Sequence, residues 1–178
     1  MIAKISRGWR VAGLVAYLLG PGRFNAHTAQ RVVASWDGHP AAHQPPRATD
    51  GSFVVTELAT ALADPAVAAG VALREPAHEP GRRPVRGPVW HCSLRNHADD
   101  RVLSDQEWAQ VVEDLLHETG IAVRGDLGAC RWVAIRHAPD HVHVAAVLVR
   151  QDDGRRVWPQ NDYLRAGQVC RRPKCGWG

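Results

Sequence analysis

Three histidines fall within seven residues, His137-Ala138-Pro139-Asp140-His141-Val142-His143, and the run continues into the apolar stretch Val144 to Val149. Side chains on a strand alternate faces, so His141 and His143 point the same way, and a short turn folds His137, four residues upstream of His141, back toward them. Neutral imidazole is a common metal ligand. Three protein ligands with positions left open describe a catalytic metal site rather than a closed structural one.

A metal triad alone does not name a reaction. A cupin-type strand pair wants a glutamate a few residues later, and 144–150 holds no acid. Hydrolases of the metallo-β-lactamase type place an aspartate after the pair, whereas Asp140 precedes it. What fits is a strand-borne histidine pair, one further histidine, and a tyrosine elsewhere in a basic chain. Only two tyrosines are present, Tyr17 and Tyr163.

The rest of the chain must position these groups. Its 178 residues, 45% of them hydrophobic, suffice for one well-buried core, so a single domain over 1–178 is expected. The pattern reads as an α/β (α+β) fold. Ile2 to Ser6 alternates as a strand; Gly8 to Leu19 carries a helical stripe of Val11, Leu14, Val15, Leu18 and Leu19, stopped by Gly20-Pro21-Gly22, with Tyr17 off the stripe beside Gly13 and Arg10. Trp36 to Gly51 reads as loop, Glu57 to Leu62 as helix resuming after Pro65, and Glu75 to Pro88 as an Arg/Pro/Gly segment outside the core. The stretch 36–88 is therefore expected to be a loop or insertion. Val89 to Leu94 predicts a strand. Ser104 with Glu107 forms a capping box for a helix that buries Trp108, Val111, Val112, Leu115 and Leu116 and ends at Gly120. Arg131 to Ile135 and Val142 to Val149 are the last strands.

The net charge is +4, and of the 22 basic side chains only Lys4 and Lys174 are lysines. Arginine's planar fork suits phosphate, which leans the chain toward nucleic acid. Cys92, Cys130, Cys170 and Cys175 lack the paired spacing of a zinc ribbon. With no transmembrane-length apolar run and no signal-peptide core at Met1 to Arg10, a cytoplasmic, thiol-reduced protein is expected, with no membrane partner.

Three stretches, ISRGWRVAGLVAYLLGPGR, VWHCSLRNHADDRVLSDQEWAQVVEDLLHETGI and RWVAIRHAPDHVHVAAVLVRQDDGRRVWPQNDY, resemble the relaxases. These are mobilisation nucleases of the HUH endonuclease superfamily, and the likeness is closest to those of actinobacterial mobile elements. The tyrosine precedes the histidines, which is the relaxase order; replication initiators of the same superfamily place it after them. The resemblance implies a central antiparallel sheet with packed helices and the HxH pair on a middle strand. It implies a metal-dependent endonuclease and strand transferase that nicks single-stranded or hairpin DNA at an origin of transfer in conjugative mobilisation. Tyr17 would be the nucleophile, His137, His141 and His143 the ligands of Mg²⁺ or Mn²⁺, and relaxosome accessory and coupling proteins the partners.

Asp140 is a candidate to orient a ligand imidazole through its second nitrogen, or a plain turn residue after Pro139. Tyr163 is the alternative nucleophile, in an initiator-like reading, or a packing residue with a hydrogen-bonded hydroxyl. His91 is an accessory candidate, as proton relay or phosphate contact, or a satisfied strand histidine. Arg7, Arg10 and Arg23 flank Tyr17, and Arg82, Arg83 and Arg86 crowd the proline-rich segment, as candidate phosphate contacts. Trp108 and Trp132 read as core; Trp9, Trp36 and Trp158 are candidates for base stacking. The tail 169–178, broken by Pro173, is expected not to continue as a helix, and the C-terminal region that larger relaxases use for transport is expected to be absent. A non-catalytic DNA-binding plasmid protein is the reading of different class.

Overall fold

The apolar run after the histidines becomes a strand buried along both faces, which dictates a layer of helices on each side of the sheet. The computed structural model describes residues 1–20, 30–77, 81, 85–97 and 99–172. Strands β1 (Ile2–Gly8), β2 (Arg31–Ser35), β3 (Val89–Arg95), β4 (Cys130–Ala138) and β5 (His141–Arg150) form an antiparallel sheet in the order β1-β3-β5-β4-β2. The expected α+β architecture is therefore present, with the His141/His143 strand at its centre.

Helices α1 (Val11–Leu19) and α2 (Thr56–Ala68) bury Val15, Leu18, Leu58 and Leu62 against Val133, Ile135, Ala145 and Val147 on one face. Helices α3 (Asp105–Thr119) and α4 (Asp162–Arg171) cover the other, where Trp108, Leu115 and Ala166 meet Trp90, Val144 and Ala146. Strand alternation assigns each side chain to one of these layers. Trp108 and Trp132 are buried, as expected. Among the described residues, no helix is long and apolar enough to cross a membrane.

The capping box at Ser104 and Glu107 forms, and Gly120 closes α3 in the left-handed conformation at φ 71° that glycine tolerates. Three elements depart from expectation. Strand β2 was not anticipated: Arg31-Val32-Val33-Ala34-Ser35 is too short to show a period, and a bulge between Val32 and Ala34 turns its side chains between faces. Helix α2 passes through Pro65 without a break. Proline there removes the amide that would bond the Ala61 carbonyl, and Arg131 Nη1 on β4 donates to that oxygen instead, at 2.7 Å. The segment 36–88 thus contributes a core helix at Thr56–Ala68 between its loops. Helix α4, finally, continues through Val169, Cys170 and Arg171, because Asp162, Ala166 and Val169 form a buried stripe at i, i+4 and i+7.

Asp162 anchors that helix. It is buried, accepts from Arg7 Nη2 of β1 at 2.9 Å and from Trp90 Nε1 of β3 at 3.1 Å, and so ties α4 to two strands. Burial lowers the Arg7 pKa, and the pairing with Asp162 opposes that shift without reversing it. Removing one partner of a buried pair strands the other charge. Asp162→Ala is expected to cost about 3 kcal/mol and Ser104→Ala about 1 kcal/mol; urea unfolding of both variants checks this order.

Candidate active site

The β4–β5 hairpin turns through Pro139-Asp140, with Ala138 opposite His141. In unbroken register His137 would then face Val142, on the opposite side of the sheet from His141 and His143, since a slip of one residue flips every side chain. The observed register instead pairs Arg136 with Val142 and Ile135 with His143, so His137 is the extra residue of a bulge. The bulge returns its ring to the histidine face. That face also carries Ala145, Val147, Ile135 and helices α1 and α2.

His143 Nε2 lies 3.0 Å from His137 Nε2, and His137 Nε2 lies 3.3 Å from His141 Nδ1. One ligand nitrogen from each ring falls within 4.8 Å of the others. His137 and His143 are each 5% exposed and His141 is half-buried, so the cluster opens to solvent on one side. Two ligands bonded at about 2.1 Å to one cation, at angles between 90° and 109°, stand about 3.0–3.4 Å apart. The His137–His143 and His137–His141 separations match that spacing. The three imidazoles therefore fit a divalent cation, with the cluster open on the His141 side.

Arg136 fixes the hairpin from behind. Its Nε donates to the Ala138 carbonyl at 3.2 Å and its Nη2 to the Pro139 carbonyl at 2.9 Å, while Nη1 bonds Asp105 Oδ1 at 2.5 Å. Arg31 Nε reaches the same carboxylate at 2.6 Å. Burial alone would raise the Asp105 carboxyl, but hydrogen bonds from Arg31 and Arg136 outweigh it and hold the group below the ordinary range. Asp140 turns outward, where its Oδ2 accepts from Arg95 Nε at 2.9 Å. Its carboxylate thus ties the turn to the end of β3.

The position behind His143 that a carboxylate usually fills is taken by His91. His91 Nε2 lies 2.8 Å from His143 Nδ1, and His91 Nδ1 lies 3.1 Å from Ser6 Oγ. Burial, with His141 nearby, pushes the His91 pKa down to about 4, so the ring is neutral at pH 7. Sequence alone left His91 without a defined contact, because its neighbour is 52 positions away and becomes visible only when β3 lies beside β5.

Compared with known protein families, the chain matches the family model of the MobA/VirD2-like relaxase nuclease domain over residues 67–174. It belongs to the MobA/VirD2-like relaxases. No curated protein and no solved structure matches it significantly. The match names no actinobacterial or other lineage. Family membership makes this a nuclease and implies DNA at an origin of transfer as its substrate. The matched range contains the histidines and Tyr163 and begins after Tyr17.

In this relaxase the two tyrosines lie on different helices and different faces. Tyr17 stands on the outer side of α1, 62% exposed, and α1 packs on the histidine face. Among the described residues, no hydrogen bond or ring contact joins it to the triad. Tyr163 begins α4, which packs on the opposite face, and its hydroxyl donates to the Ile5 carbonyl of edge strand β1. Arg7, Arg10 and Arg86 line one groove together with Trp9, Gly87 and Arg74. Arg10, Arg74 and Arg86 are exposed there, while Arg7 is spent on Asp162. The groove lies at the Gly8 end of β1. The triad lies toward the Ile2 end, with His143 four and His141 six strand residues along, about 13–20 Å away. Arg23, Arg82 and Arg83 lie outside the described residues. Trp158 is 52% exposed beneath the Arg156 guanidinium, and Trp36 is enclosed by His43 and Arg131. Arg136→Ala should leave the sheet folded yet raise amide exchange at Ala138 to His141 by about tenfold or more, read by hydrogen-exchange mass spectrometry.

Proposed function

We propose that this relaxase nicks one strand of origin-of-transfer DNA through a covalent tyrosine intermediate, with Tyr17 as nucleophile. The observation that carries this reading is the division of the two tyrosines between the faces of the sheet. Helix α1 begins just beyond Gly8, in line with Val89 and Val147, and β2 starts again opposite Arg136. The helix must run back toward the histidine end. Its nine residues span about 13 Å, the length of about four strand residues, which is the step from Val147 to His143. Tyr17, two residues from the end of α1, is thereby carried toward the level of the triad. Tyr163 begins the helix on the other face and its hydroxyl is engaged by the Ile5 carbonyl of edge strand β1, which disfavours the initiator-like reading.

Cleavage that is later reversed must conserve the phosphodiester, and a phenol attacking phosphorus does so. A bond forms between Tyr17 Oη and phosphorus, the bond from phosphorus to the 3′ oxygen breaks, and the phenolic proton ends on that oxygen. The products are a 5′-phosphotyrosine and a free 3′-hydroxyl. Held by His137, His141 and His143, Mg²⁺ or Mn²⁺ would draw negative charge from the scissile phosphate. The chain's own part is to present three neutral imidazoles on a rigid hairpin, and to bind the strand's phosphates at Arg10, Arg74 and Arg86 with Trp9 available for stacking. Conjugative mobilisation, with relaxosome and coupling proteins as partners, is the setting in which such a nick has a use.

Mixed with end-labelled single-stranded origin DNA and Mn²⁺, wild type and Tyr163→Phe should form a covalent adduct on a denaturing gel, and Tyr17→Phe none. An adduct mapped to Tyr163 would replace this reading with the initiator-like one. No adduct from the wild type, with DNA still bound, would make the chain a non-catalytic binder. In the same assay His143→Ala should lower nicking by about three orders of magnitude while DNA affinity changes little, because the arginines are untouched.

A further inference from the structure

Behind the triad runs a chain of polar groups across three strands: Ser6 on β1, His91 on β3 and His143 on β5. The rings of His91 and His143 have centroids 5.0 Å apart and planes only 12° apart, with a nitrogen–nitrogen distance of 2.8 Å. That combination is an end-to-end hydrogen bond in the ring plane, since rings stacked face to face would bring no two nitrogens into line. From this geometry we infer that His91 is a positioning residue, which fixes the proton and the ring plane of His143 so that His143 Nε2 is always the nitrogen offered to a cation.

The assignment follows from counting donors and acceptors. His143 Nε2 faces the other two histidines, and to bind a cation it must present a lone pair. The ring proton of neutral His143 then sits on Nδ1, which donates to His91 Nε2. His91 Nε2 is thereby an acceptor, its own proton sits on Nδ1, and that proton goes to Ser6 Oγ. Each link has one donor and one acceptor, and only one arrangement of protons satisfies all of them with a ligand lone pair at the triad. Ser6 and His91 are direct cross-strand partners, so the register of β1 on β3 sets the chain.

The acceptor behind the ligand is a neutral imidazole where metalloenzymes commonly use a carboxylate. A carboxylate pulls the proton from the ligand ring and passes negative charge to the cation. His91 orients His143 without that transfer, and leaves more of the cation's charge for a phosphate. This inference rests on the triad holding a cation, and its test separates the two ideas.

Binding of Mn²⁺ or Co²⁺ to the purified full chain, measured by calorimetry without DNA, should be saturable in the wild type and lost in His141→Ala. His91→Ala should weaken it by about 10- to 100-fold, and His91→Gln, whose amide oxygen can accept from His143 Nδ1, should recover most of the affinity. Affinity in His91→Ala within twofold of wild type, or no recovery in His91→Gln with the fold intact, would overturn the positioning role while leaving the metal site standing. Equal binding by wild type and His141→Ala, or none by either, would overturn both. Long-range ¹H–¹⁵N spectra of the wild type loaded with Zn²⁺ give a readout independent of any variant. Both His143 and His91 should carry their proton on Nδ1, and a proton on His91 Nε2 would refute the inference.

Discussion

A two-residue turn and a strand period of two are incompatible with three histidines on one face, because the turn alone hands His137 to the far side of the sheet. The bulge that inserts His137 opposite His141 resolves the conflict. Everything else near the site serves that irregularity. A bulge gives up ladder hydrogen bonds and leaves carbonyls without strand partners, and here Arg136 takes up those of Ala138 and Pro139. Asp105, at the start of α3, holds Arg136 in turn and shares itself with Arg31 of β2. The local cost of bringing three imidazoles together is thus carried by an ionic cluster on the opposite side of the sheet.

How far the sequence revealed this depends on the range of the signal. The capping box of α3, the stripe of α1 and the alternation around His141 and His143 are local patterns, and each appears in the structure as the residues predict. The convergence of His137 was legible as a possibility of the short turn, while the bulge that achieves it was not, since a bulge has no periodicity of its own. Helix α2 ran through Pro65 because of Arg131, a residue 66 positions on, whose guanidinium replaced the missing amide. The partner behind the ligands was sought in Asp140, nearest in sequence, and the structure supplies His91 at His143. Distant pairings of this kind follow from strand order, which no local pattern contains.

The sheet also works as a partition. Its α3/α4 side packs Trp90 and Trp108 in a largely apolar core, whereas the α1/α2 side carries, beside a second apolar cluster, the polar row of Ser6, His91, His143 and His137. Buried polar groups are stable only when each is paired, and this row is paired along its length. Both faces are packed, β5 belongs to both, and the histidine row lies on the α1/α2 side.

The sequence separations of the contacts that complete this row increase outward from the triad. His137 and His143 are six residues apart, His91 and His143 are 52, Ser6 and His91 are 85, and Arg7 and Asp162, which clasp β1 from the other face, are 155. Closing the longest of these loops costs about 3 kcal/mol more chain entropy than closing the shortest. A nascent chain emerging in order has its histidine hairpin available once β5 is made, yet it lacks the clasp on β1 until α4 follows. Because the outermost strand of the row is secured by a helix that follows β5 in the chain, the complete centre needs the residues through α4 and not the histidine hairpin alone.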